Sequence, residues 1–80
     1  MNNILEGAIN QGILLMKNSN LSEQQFNIWL EYSKNLLTLA TKNHALISNY
    51  YTVIAMTSHQ PPYQKLSMCL QYLIRIQSQI

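Results

Sequence analysis

The segment from residue 21 to residue 42 constrains the fold most, because it combines a clear helix start with a long helical apolar pattern. Ser22 is a favourable N-cap residue, and Gln25 stands three residues later, where its side chain can bond back to the Ser22 N–H. Leu21 and Phe26 are spaced to pack across this cap as a hydrophobic staple. The pattern continues through Trp29, the only tryptophan. It predicts a helix of about five turns, against which the other segments fold.

This second helix has apolar residues on two of its sides. The dominant side comprises Phe26, Trp29, Leu30, Ser33, Leu37 and Ala40. The other comprises Ile28, Tyr32, Leu36 and Leu39. A helix with two apolar sides is contacted from more than one direction. We therefore expect helix 2 to be central in the domain or shared with a partner chain.

Helical spacing of apolar residues predicts three further helices, so that the four span approximately residues 4–17, 23–42, 46–56 and 62–78. Asn3 is placed to cap the first, with Glu6 at the reciprocal position. Ala8 and Gly12, four residues apart, leave room for a neighbouring helix to approach closely. Pro62 suits the first turn of the last helix. Because the connections are short, consecutive helices should pack antiparallel. The sequence predicts an all-α fold, a compact bundle of four helices in one domain over residues 1–80.

The composition favours a cytoplasmic protein that associates with itself or with other molecules. Only 10% of the residues are charged, against about 25% in an average protein, so copies repel one another weakly. A single cysteine excludes an intrachain disulfide and fits a reducing compartment. The N-terminus lacks the basic region of a signal peptide, and no apolar run is long enough to span a membrane. The many Asn, Ile, Lys and Tyr residues are typical of AT-rich genomes, which favours a bacterial or phage origin.

Residues with catalytic or metal-binding chemistry are few and separated. His44 and His59 flank the third helix and would stand roughly 20 Å apart along a helix. Cys69 lies on the apolar side of the fourth helix and has no cysteine partner, which is typical of a core residue. The three glutamates, Glu6, Glu23 and Glu31, each fit a helix cap or a helix surface. We therefore expect no catalytic residue, no metal site and no cofactor, and we do not expect an enzyme.

More apolar and aromatic residues lie opposite the predicted core than a lone bundle needs, and such patches often mark interfaces. They are Leu14, Ile28, Tyr32, Leu36, Leu39, Met68, Tyr72 and Ile74. Packing of the four helices could instead bury most of them. We assign a self-association interface, as a dimer or small ring, to Ile28, Tyr32, Leu36 and Leu39. Replacing Leu36 and Leu39 by lysine should then dissociate the oligomer while the helices persist.

A second set of residues combines contact chemistry with expected partial exposure and is assigned to ligand or partner contacts. It comprises Tyr50, Tyr51, Tyr72 and Arg75.

Three functions are compatible with these features. The first is a small non-enzymatic helical interaction protein, a regulator or inhibitor encoded by a phage or mobile element, that binds a host protein stoichiometrically. The second is a homo-oligomer that sequesters a small ligand, such as a nucleotide, between subunits. The third is a nucleic-acid-binding bundle, which is favoured least because the five Lys and Arg residues are scattered.

Overall fold

The computed structural model describes residues 4–80, which fold into four helices. These are α1 (Leu5–Met16), α2 (Glu23–Ala40), α3 (His44–Met56) and α4 (Pro62–Gln77), and the described range contains no strand. The predicted all-α helix bundle is confirmed, with helix ends that differ by no more than two residues from prediction. The largest shift at a helix start is in α3, which begins at His44 because Asn43 caps it. The Asn43 side-chain oxygen accepts the Ala45 N–H at 3.0 Å.

Local sequence signals set two of the helix starts. At α2, Ser22 Oγ accepts the Gln25 N–H and Gln25 Oε1 accepts the Ser22 N–H, each at 3.0 Å. Leu21 and Phe26 are both buried next to this cap. At α4, Pro62 is the first helical residue, as predicted. The predicted cap of α1, Asn3, lies outside the described residues.

The helix that contacts all three others is α4. The main contacts of α2 are with α1 and α4, so the central position predicted for α2 is not confirmed. The consecutive helices α2 and α3 do not form one of the main packing pairs. Side chains join them instead, including Ser33 and Tyr50, whose hydroxyl oxygens lie 2.6 Å apart.

Helix α1 packs closely against both α2 and α4 at Gly12. A Cβ atom at this position would lie 2.9 Å from Leu70 Cδ1 and 3.2 Å from the Trp29 ring. One turn earlier, the Ala8 carbonyl oxygen accepts the Trp29 indole N–H at 2.9 Å. The close approach predicted at Ala8 and Gly12 is confirmed, and it fixes the position of the indole between α1 and α2.

The centre of the core is polar in part. Ser33 Oγ donates to the Leu30 carbonyl oxygen at 2.8 Å, so the Tyr50 hydroxyl donates to Ser33 Oγ. The Tyr50 ring stacks on Tyr72 at 5.6 Å between centroids, and the Tyr72 hydroxyl donates to the Leu46 carbonyl oxygen at 2.6 Å. Within residues 4–80 no buried side-chain nitrogen or oxygen lacks a partner, as is usual for a well-formed interior.

Candidate interaction surface

The second apolar side predicted for α2 lies on the protein surface. Ile28 is 65% exposed, Tyr32 42% and Leu39 72%, whereas Leu36 is half-buried against the core. These residues follow one another at intervals of three or four, so they form one stripe along the helix. The stripe is much more exposed than large apolar side chains usually are.

A groove of about 340 Å³ lies between this stripe and α1. Its lining comprises Gln11, Leu15, Gln25, Ile28, Trp29 and Tyr32. We call the groove and the stripe together the α1–α2 face, which comprises Gln11, Leu15, Gln25, Ile28, Trp29, Tyr32, Leu36 and Leu39. The buried Trp29 forms the floor of the groove, and its N–H is already bonded to Ala8.

Gly7 shapes one end of this face. The Tyr32 hydroxyl lies 2.8 Å from the position that a Cβ atom at Gly7 would take. Because Gly7 has no side chain, Tyr32 can lie across α1 rather than point into solvent. This position of Tyr32 closes one wall of the groove.

The α1–α2 face has no charged residue, and its polar groups are carboxamides and one phenol. Gln25 Oε1 accepts the cap bond from Ser22, so Gln25 offers its Nε2 donor to an occupant. Gln11 is exposed on the opposite helix. An apolar surface with a few neutral hydrogen-bonding groups suits an apolar or uncharged occupant. It does not suit a phosphate, which is typically held by Arg, Lys or a helix N-terminus.

The exposed part of the stripe is large for such a small domain. Aromatic side chains bury about 150–250 Å² and large aliphatic ones somewhat less, so the exposed fractions of Ile28, Tyr32 and Leu39 correspond to roughly 300–350 Å² of surface. Patches of about 300–600 Å² on monomers are often functional.

The ion pairs of the described residues lie elsewhere. Lys34 Nζ is 2.6 Å from Glu31, and Lys65 Nζ is 2.7 Å from both carboxylate oxygens of Glu23. Lys34 also lies 5.7 Å from the centroid of the Tyr51 ring. None of these residues belongs to the α1–α2 face.

The residues assigned to ligand or partner contacts do not form one site. Tyr51 and Arg75 are exposed, as expected, but the partial exposure expected for Tyr50 and Tyr72 is wrong. Tyr50 is fully buried, and Tyr72 is 8% exposed. Stacking of the two rings and the bonds to Ser33 and Leu46 satisfy both side chains inside the fold. The spacing of Tyr50 from Leu46 and Ile54, four residues on either side, already placed it on the apolar side of α3.

Burial also determines the protonation of the core. It raises the pKa of the Cys69 thiol to about 11, against opposing effects of a hydrogen bond with Tyr50 and the charge of Lys65. It raises the pKa of Tyr50 far above its ordinary value, with a further contribution from Cys69. Cys69 is fully buried, so its predicted place in the core is confirmed, and its thiol stays protonated at neutral pH.

Other kinds of site find little support in the part of the chain that the structure describes. No three His, Cys, Asp or Glu residues of residues 4–80 come together as a metal site would require. None of the four helices is both long and apolar enough to cross a membrane. Comparisons with protein-family models, with curated proteins and with solved structures found no match for the chain. Its function is therefore inferred from its own surface.

Proposed function

We propose that the protein is a non-enzymatic helical interaction protein that acts by stoichiometric binding to a partner protein, as a regulator or inhibitor. The observation that supports this proposal is the uncharged, apolar α1–α2 face, in which an aromatic-floored groove adjoins a row of exposed side chains. Interfaces are enriched in aromatic residues at their centre and depleted of charge there. Tyr32 and Trp29 supply the aromatic groups, and the row beside them supplies apolar area.

The shape of the face fits an amphipathic helix of the partner. Such a helix places apolar side chains at intervals of three and four residues into an apolar groove. The groove between α1 and α2 can take one such side chain, with Gln11 and Gln25 at its edges to bond polar groups of the partner. The proposed origin in a phage or mobile element adds that this partner is a host protein.

Quantitative capture with matched variants tests the proposal. Immobilised wild-type protein, Ile28→Lys and Met56→Lys are incubated with the same bacterial extract, and retained proteins are quantified by mass spectrometry. Met56 is 75% exposed on α3, so its substitution adds the same charge away from the face. A protein that binds through the α1–α2 face should be retained equally by the wild type and by Met56→Lys. Ile28→Lys loses it by at least about tenfold, as expected for a central interface position.

Equal retention of every protein by all three baits contradicts the proposal. A protein captured in this way is then purified and mixed with the wild-type chain. A regulator that acts by binding should form a complex of defined stoichiometry with it. Titration in a calorimeter measures that stoichiometry directly.

A second candidate function is sequestration of a small ligand, and the size of the groove is the observation that favours it. Ligand sites generally have volumes of about 300–1,000 Å³, and the groove is at the lower end of this range. Its lack of charge favours an uncharged ring system over a nucleotide. A thermal-shift panel that pairs each nucleoside or free base with its nucleotide separates the two ligand classes.

The third candidate, nucleic-acid binding, has less support. Of the five Lys and Arg residues, Lys34 and Lys65 are paired with glutamates. Affinity for a phosphate backbone depends on clustered positive charge and falls steeply with salt. Binding of DNA or RNA at low salt that is lost at high salt would support this candidate.

A further inference from the structure

We infer that, without a partner, the α1–α2 face is occupied by a second copy of this chain, as a two-fold dimer in which Leu39 of each copy enters the groove of the other. The inference rests on the same face as the proposed function but does not require the partner protein. Binding of a partner protein can stand even where Leu39 of one copy does not occupy the groove of another.

The α1–α2 face carries both a projecting side chain and a recess. Leu39 is the most exposed residue of the stripe, and the groove floored by Trp29 lies about 15 Å away along α2, at 1.5 Å per residue. A two-fold interface is self-complementary, since each contact occurs twice. A rotation axis halfway between Leu39 and Trp29 brings each Leu39 onto the groove of the other copy.

The same rotation aligns the rest of the stripe. With the two α2 helices antiparallel, Tyr32 of one copy faces Leu36 of the other, and Ile28 faces the end of the helix near Ala40. This one two-fold rotation therefore places the exposed apolar residues of each stripe against the stripe of the other copy.

The charge distribution is compatible with contact between identical surfaces. Two copies of a charged face would oppose like charges, which costs several kcal/mol in an interface. Here the face is uncharged, and the glutamate–lysine pairs of α2 involve none of its residues. Contact between two copies of this face therefore brings no like charges of the face itself together.

The area available for burial indicates how tightly the dimer should associate. A standard interface buries about 800 Å² on each partner, and weak ones bury less than about 600 Å². The three most exposed residues supply roughly half of the standard area, and Gln11, Leu15, Gln25 and Leu36 add to it. A dimer that dissociates in the micromolar range is expected.

Sedimentation equilibrium and native mass spectrometry over a concentration series test the dimer. The expected species at high concentration has twice the 9.3 kDa mass of the chain. Leu39→Lys raises the dissociation constant by at least about tenfold with unchanged helical circular dichroism, and Met56→Lys leaves it unchanged. Leu36 is not substituted, because it also packs against the core and its loss would disturb folding.

A cysteine cross-link tests the docking geometry. The variants Leu39→Cys and Gln11→Cys are mixed and oxidised, and the native Cys69 is fully buried and so does not compete. The inference expects a disulfide between the two different variants, formed faster than in a mixture of Met56→Cys with Gln11→Cys. A monomer at all concentrations of the partner-free protein, or equal cross-linking in both mixtures, overturns it.

Discussion

The hydroxyl groups of Ser33 and Tyr50 lie 2.6 Å apart in the fully buried centre of the core, where they join α2 to α3. These two helices have few other close contacts. The bond belongs to a chain that continues from Ser33 Oγ to the Leu30 carbonyl oxygen. A buried network of this kind stabilises a structure only while each member has its partners.

Tyr50→Phe and Ser33→Ala should each destabilise the fold, and their effects should not add. Removing one partner leaves a buried group without its bond, at a cost of about 1–3 kcal/mol. The double variant loses the same bond only once, so its cost should be smaller than the sum by about 1 kcal/mol. Urea denaturation followed by circular dichroism measures all four proteins. Strict additivity would show that the two hydroxyls do not interact.

The two glycines of α1 should respond in opposite ways to alanine. At Gly12 a new Cβ meets Leu70 and the Trp29 ring, and both side chains are buried, so neither can move aside into solvent. Gly12→Ala should therefore destabilise by about 1–3 kcal/mol, in spite of the better helix propensity of alanine. At Gly7 the nearest atom is the outer end of Tyr32, which can swing into solvent. Gly7→Ala should be neutral or stabilising by up to about 1 kcal/mol.

The unfolding temperatures of both glycine variants, compared with that of the unmodified protein, test this prediction. Equal destabilisation would mean that Tyr32 is held as firmly as Trp29. Gly7→Ala also displaces one wall of the groove, so it should weaken any occupant of the α1–α2 face without loss of stability.

Stability should fall at alkaline pH. The pKa of the Cys69 thiol is raised from its ordinary value of 9.0 to about 11, and that of Tyr50 is also raised, mainly by burial. Below pH 9 both states keep the thiol proton and the free energy of unfolding is constant. Above it the unfolded chain releases the proton and the folded protein does not, so unfolding is favoured by up to about 1.4 kcal/mol per pH unit for each group. Urea midpoints between pH 7 and pH 11 measure the slope.

Cys69→Ala is the control for the alkaline prediction. It removes the contribution of the thiol, so the decline should begin about one pH unit later, where the unfolded tyrosines ionise. An unfolding free energy that is flat from pH 9 to pH 11 in the unmodified protein would contradict the buried environment of the thiol.

Loss of the cap of α2 should destabilise the whole domain. Ser22→Ala removes the acceptor of the Gln25 N–H and is expected to cost about 1 kcal/mol. Ser19→Ala, in the preceding loop, changes an exposed serine and should stay within about 0.5 kcal/mol of the unmodified protein. Chemical denaturation of the two variants gives the comparison, and equal effects would argue against the cap as a source of stability.

The features that could be predicted from the sequence are those set by neighbours in the chain. The Ser22–Gln25 cap, the start of α4 at Pro62 and the close approach at Gly12 all follow from residue type and spacing. The exposed stripe of Ile28, Tyr32 and Leu39 follows as well, because helical periodicity alone separates it from the core side.

Features that depend on how helices pack could not be predicted in the same way. Tyr72 is covered only because α3 lies beside α4, and its exposure depends on that neighbour. The groove requires Gln11 and Leu15 from α1 beside Ile28 and Tyr32 from α2, and no spacing within one helix places them together. The greater number of contacts made by α4 also reflects the packing of the helices rather than any one helix pattern.

Trp29 has a consequence for measurement. It is the only tryptophan, and it forms the floor of the groove while its indole N–H is bonded to the Ala8 carbonyl. Indole emission depends on the polarity and rigidity of its surroundings, so ultraviolet fluorescence of the unlabelled protein reports both unfolding and the arrival of an occupant above the ring. Trp29 is therefore an intrinsic fluorescent probe at the site where we propose that the protein binds.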